Sequence, residues 1–181
     1  MLAKSVAAVN SVLMLHADVP LPAAKIAKAA GEAYAPVRSA LGTLEKRGLV
    51  VRSSRAGQDE FAPSLESPYY PAAYLTALVD LPIEAAIGRA TPLSSVYAYG
   101  SLARPRGGTR TSDLDLLIVT RVRSDEARGQ MRHDLSIGLG SRLHRAIDAW
   151  ILSPREVGEL QERKDPHLLE AMAGVRLRGR E

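Results

Sequence analysis

Residues 113 to 119, Asp-Leu-Asp-Leu-Leu-Ile-Val, make a strand-length apolar run in which two carboxylates alternate with leucine. Side chains alternate across a strand, so Asp113 and Asp115 share one face. Two like charges so placed repel, and the arrangement is most easily kept around a cation. Carboxylate oxygens favour Mg²⁺, which also retains water and substrate phosphates as ligands. Upstream, Val96-Tyr97-Ala98-Tyr99-Gly100-Ser101 reads as a second strand ending in Gly-Ser. The backbone N–H groups of a helical turn begun there, with the serine hydroxyl, can seat a phosphate. A carboxylate pair joined to a phosphate seat through the turn-rich residues 102 to 112 implies metal-assisted chemistry on a polyphosphate.

This combination resembles the minimal nucleotidyltransferases of the DNA polymerase beta superfamily, whose pattern is an apolar strand, Gly-Ser, a short spacer and Asp-x-Asp in the next strand. A lone Asp-x-Asp is more often a solvated strand edge; the Gly-Ser at this distance is what favours a site. The resemblance covers residues 82 to 165 and implies transfer of a nucleoside monophosphate from a nucleoside triphosphate, with ATP the expected donor, to a hydroxyl on protein, RNA or a small molecule. It implies two Mg²⁺ ions, for which Mn²⁺ can substitute: Asp113 and Asp115 hold one, and a third carboxylate on an adjacent strand shares the other. Asp148 is the acidic residue in the strand-like run Arg145 to Leu152, so it takes that place as metal ligand and catalytic group. Gly100, Ser101, Arg104 and Ser112 are the expected nucleotide-binding residues, with Arg110 a further source of charge. Pro105 stands where many members of the superfamily carry glycine, and Gly107-Gly108 lengthens the loop, so the loop departs from the pattern.

The first 80 residues read differently. Val6, Val9, Leu13 and Met14 have helical spacing, a second short helix spans 23–30 and is closed by Gly31, and a third runs from about Ala35 to Arg47 before Gly48. Leu49 to Arg52 reads as a strand, Ser53 to Gln58 as a polar turn and Asp59 to Ala62 as a returning strand. The run Ala40 to Val50 resembles the recognition helix and first wing strand of bacterial winged-helix regulators. By that resemblance Arg38, Ser39 and Thr43 face DNA, with Arg52 and Arg55 on the wing. Winged helices also serve as protein-contact and dimerisation modules, with which a homodimer is compatible.

The expected architecture is therefore α+β: a winged helix-turn-helix domain over 1–66, a linker and connecting helix over 67–81, and a nucleotidyltransferase domain with a short mixed sheet flanked by helices over 82–181. Tyr69, Tyr70 and Tyr74, after the prolines of the linker, are expected to seal the contact between the domains. Ser124 is read as the cap of a helix that continues through Gly138 and Gly140. Ser153 and Asp165 are read as caps of two later helices, and the tail 176–180 as frayed.

Composition sets bounds on this reading. With 46% hydrophobic and 24% charged residues, the 181-residue chain can bury a core. Residues 1–80 carry 8 Lys/Arg against 7 Asp/Glu, leaving 16 against 13 for the remainder, so neither part is a polybasic module. The absence of cysteine excludes disulfides and thiolate metal sites, and no apolar run reaches membrane-spanning length, which suits a cytoplasmic protein with no membrane partner. The four histidines show no metal-ligand spacing. The competing expectation is a transcription regulator or antitoxin-like DNA-binding protein whose nucleotidyltransferase fold senses nucleotide without turnover.

Overall fold

In a computed structural model, which describes residues 2–88, 93–106 and 108–179, the chain is a mixed α+β protein with helices and two small sheets. It divides into two compact units, Met1–Asp80 with Arg142–His144, and Leu81–Ser141 with Arg145–Glu181. Among the described residues no helix is long and apolar enough to cross a membrane.

The first unit begins with α1 (Leu2–Leu15), β1 (Leu21–Pro22), α2 (Ala23–Ala30) and α3 (Tyr34–Lys46). Gly31 closes α2 in the left-handed conformation, φ 66°, and its N–H donates to the carbonyl of Lys28. Val9, Leu13, Ile26, Val37, Leu41 and Phe61 are buried together, and each such side chain contributes about 1.5–3 kcal/mol by leaving water. The hairpin β2 (Val50–Arg55) and β3 (Gln58–Pro63) is longer and tighter than the sequence suggests. Its turn is only Ala56-Gly57, both at positive φ, and Ser53 and Ser54 pair with Glu60 and Asp59 rather than looping. The serines look like turn residues, but they lie on the exposed strand of a ladder that satisfies their backbone.

Helix α4 (Tyr70–Val79) packs on α1, where Asn10 Nδ2 donates to the Ala73 carbonyl at 2.9 Å and Ser11 Oγ to that of Ala77 at 3.3 Å. Tyr70 and Tyr74 are buried with their rings 5.9 Å apart, whereas Tyr69 is exposed.

The second unit holds α5 (Ile83–Ile87), β4 (Leu93–Tyr99), a 3₁₀ turn at Ser101–Ala103, β5 (Leu114–Thr120) and α6 (Asp125–Leu135). A π-helical turn (Ser136–Gly140) follows, then β6 (Ile147–Leu152), α8 (Pro154–Glu162), α9 (Pro166–Met172) and β7 (Val175–Gly179); the short α7 is Ser141–Leu143. α5 ends at Ile87, where Gly88 leaves the helix at φ 83°; residues 89–92 lie outside the described residues. The sheet order is β6-β5-β4-β7, with β5 and β6 parallel and the other pairs antiparallel. One face buries Leu117, Val119 and Leu152 against Leu168 and Ala171 of α9.

The caps expected at Ser124, Ser153 and Asp165 are all present, and Ser153 with Glu156 forms a reciprocal capping box. The glycines of the π turn serve close approach: a Cβ on Gly138 would meet Ala86 of α5, and one on Gly140 the Arg145 carbonyl and Ile147. The tail read as frayed is instead β7. Val175 and Leu177 alternate with arginines as a strand requires, and pairing with β4 satisfies the backbone.

Candidate active site

β4 delivers Gly100 and Ser101 to one end of the sheet, beside the start of β5. Gly100 adopts φ 67° and ψ −153°, a conformation open essentially to glycine alone. A Cβ there would collide with Asp115 Oδ2. The Gly-Ser turn and the Asp-x-Asp strand are thus in direct contact, which is why glycine is required at 100. Ser101 and Arg104 are exposed beside it.

Asp115 is the register partner of Tyr99 on one side and of Asp148 on the other, so one row crosses three strands as Tyr99, Asp115, Asp148. Neighbours in register project to the same face, with strands about 4.8 Å apart. Asp113, two residues before Asp115, precedes β5. Asp113 and Asp148 are exposed and Asp115 is half-buried. Burial raises the Asp115 carboxyl above its ordinary value, and the charges of Asp148 and Asp113 raise it further. The Tyr99 phenol is pushed up to about 12 by burial first and then by Asp115 and Asp148, so it stays protonated at neutral pH.

The site includes groups that sequence reasoning missed. From α9, His167 Nε2 lies 3.4 Å from the Tyr99 hydroxyl and its ring is 4.6 Å from that of Trp150, while Glu170 adds to the negative field on Asp115. Trp150 follows Asp148 by two on the same strand, so period 2 could have placed it on the site face. No local signal marks His167 or Glu170, because α9 reaches the site only through the folded sheet.

Arg145, expected to begin a strand, lies just before β6, and its Nη1 donates to the carbonyls of Thr109 at 2.9 Å, Arg110 at 3.3 Å and Ser112 at 2.8 Å. It fixes the segment that leads into Asp113. Ser112 Oγ accepts from the Thr109 N–H at 2.8 Å, so this hydroxyl closes the turn. Gly108 lies against Leu102, where a Cβ would clash, so the loop folds back on the 3₁₀ turn.

The three aspartates offer only carboxylate oxygen, the donor set that Mg²⁺ takes. They do not draw as close as another group. Among the described residues, the trio whose possible ligand atoms all lie within 4.8 Å of one another is His16, Asp18 and His144 of the first unit, which no sequence spacing foretold. His144 Nδ1 is 2.6 Å from Asp18 Oδ2, and this bond holds the Asp18 carboxyl below its ordinary value. The Asp18 N–H donates to His16 Nδ1 at 2.9 Å. That leaves the proton of a neutral His16 on Nε2, so either nitrogen would have to give up its present state to bind a metal.

The residues expected to meet DNA are partly neutralised within the first unit. Arg38 and Arg52 both approach Asp59 Oδ2, at 3.6 and 3.5 Å, and Arg52 lies 3.4 Å from Glu45. Thr43 Oγ1 donates to the Ser39 carbonyl. Ser39 is exposed on α3, and Arg55 is exposed at the end of β2.

No protein-family model, curated protein or solved structure matches this chain.

Proposed function

We propose that the chain is an Mg²⁺-dependent nucleotidyltransferase of the polymerase beta type, joined to an N-terminal winged helix. The observation that carries this reading is the register of Asp115 with Asp148 on one sheet face, with Gly100 packed on Asp115. In the reaction the acceptor hydroxyl oxygen forms a bond to the α-phosphorus of a nucleoside triphosphate, and the bond to pyrophosphate breaks. Asp148, exposed at the sheet edge, accepts the hydroxyl proton on a carboxylate oxygen. Asp113, Asp115 and Asp148 would hold the metal, which when bound offsets charge on the phosphates and lowers the pKa of the attacking hydroxyl. Ser101 and the amides of its turn hold the terminal phosphates, with Arg104 beside them. Tyr99, protonated and near His167, offers an O–H donor at the carboxylate row. Protein, RNA and small-molecule hydroxyls all remain acceptor classes for this chemistry.

The test is incubation with each α-labelled nucleoside triphosphate, Mg²⁺ or Mn²⁺, and a cell lysate. Label should enter protein, RNA or a small acceptor with the native chain and not with Asp113→Asn. Equal labelling by both, or none with any nucleotide, would sink the reading. Saturable nucleotide binding without transfer, together with retardation of DNA by the first unit's α3 and hairpin, would instead favour the regulator.

A further inference from the structure

At the other end of the same parallel strands lies a cavity of about 620 Å³ whose charge is opposite to that of the carboxylate row. Arg121 and Arg123 follow the last residue of β5, and Pro154 and Arg155 follow β6. From Asp115 to Arg121 is six residues of strand, about 20 Å, so this is not part of the site above.

Four guanidinium groups and two carboxylates line the cavity. The carboxylates are already matched. Arg128 donates to both oxygens of Glu156, at 2.9 and 2.6 Å, and Arg155 pairs with Glu159 at 2.7 Å. Among the described residues Arg121 and Arg123 have neither hydrogen bond nor ion pair. Their loop is nonetheless fixed: the Val122 N–H donates to Thr120 Oγ1 and its carbonyl accepts from Arg128 Nε. The Ser153–Glu156 capping box occupies amides at the start of α8, so the positive charge comes from the side chains and not from the helix end.

We propose that this cavity is a second binding site that takes a ligand presenting two or more phosphates, gripped by Arg121 and Arg123. Planar guanidinium forks match phosphate oxygens, and the two exposed side chains carry charge that no described residue of the cavity offsets. Among the described residues the lining contains no aromatic ring on which a base could stack, so recognition is of phosphate and not of base. The same chemistry is offered by the polyphosphate of a free nucleotide and by the backbone of a polynucleotide.

The test is titration of the full chain in EDTA, which removes metal-dependent binding at the aspartates, with tripolyphosphate, ATP and a labelled single-stranded oligonucleotide. Arg121→Ala/Arg123→Ala should weaken binding of the preferred probe about tenfold or more. One-to-one binding of tripolyphosphate and ATP would identify a free polyphosphate. Length-dependent oligonucleotide binding whose salt slope falls by about 1.4 in the double variant would identify a strand. Both arginines are exposed, so the variant should melt with the native chain, and Arg121→Lys/Arg123→Lys should retain part of the affinity. Binding of no probe, or equal binding by native chain and double variant, would overturn the proposal. Either result leaves the nucleotidyl-transfer reading to be judged by its own labelling experiment.

Discussion

Gly100 and Asp115 occupy adjoining space so closely that a methyl group on the first would displace the carboxylate of the second. The positive φ of Gly100 adds a backbone penalty for any other residue. Gly100→Ala should therefore cost about 2 kcal/mol or more in stability and abolish nucleotide transfer. Thermal melting with the labelling assay checks both; unchanged activity would mean that Asp115 is not needed where it stands.

Arg145 should act as a positioning residue for Asp113. One guanidinium nitrogen holds three carbonyls of residues 109–112, and Arg145→Ala would release that segment. The expected loss is about 1.5–3 kcal/mol, with faster amide exchange confined to residues 108–113. If Asp113 is thereby misplaced, transfer should fall about tenfold or more, mostly in kcat, since a carboxylate proposed to act in the transition state has moved. Exchange that rises throughout the second unit would instead indicate a general structural role.

The Arg128–Glu156 pair predicts a specific acid response. The hydrogen bonds from Arg128, then those of Ser153, hold the Glu156 carboxyl at about 2, below its ordinary 4.5. A depressed folded value means that the stabilisation is present above the ordinary value and is lost as pH falls toward 2. Glu156→Gln should accordingly melt below the native chain at pH 7, and the gap should close between about pH 4.5 and 2. Because Glu156 is partly exposed, added salt should narrow the gap at neutral pH.

Asp59 is expected to restrain DNA binding. It draws on both Arg38 and Arg52, two of the cations expected to meet DNA. Asp59→Ala should raise affinity for DNA several-fold at low salt and steepen its salt dependence, as measured by gel retardation. No change would argue that α3 and the hairpin face another kind of partner.

The site was legible where its parts are local. Asp115 lies in an apolar run of strand length, although β5 begins only at Leu114, so strand period does not fix the face of Asp113; Gly100-Ser101 ends an apolar run, and Asp148 stands out as a carboxylate inside a hydrophobic strand. Register is a different matter. That Asp148 falls level with Asp115 depends on a parallel pairing across 32 residues, which no spacing encodes. Arg145 escaped notice because its partners are backbone carbonyls, which leave no trace in residue type. His16 and His144 meet only through the fold. The caps at Ser153 and Asp165 are readable because each bonds within three residues of itself, whereas β7 looks like a loose tail in sequence because its partner is β4, some 80 residues earlier.

That last pairing bears on how the protein is made. β4 takes hydrogen bonds from β5 on one side and from β7 on the other, and among the described strands of this sheet β7 is the last to be synthesised. Until residues 175–179 emerge, the β4 edge that carries Ser95 to Ala98 is an open template, available to another nascent chain. The carboxylate strands can pair before that moment, so the row of Asp115 and Asp148 is assembled before this edge of the sheet is covered. Released chains truncated before residue 175 should accordingly be more prone to associate than chains that retain residues 175–179.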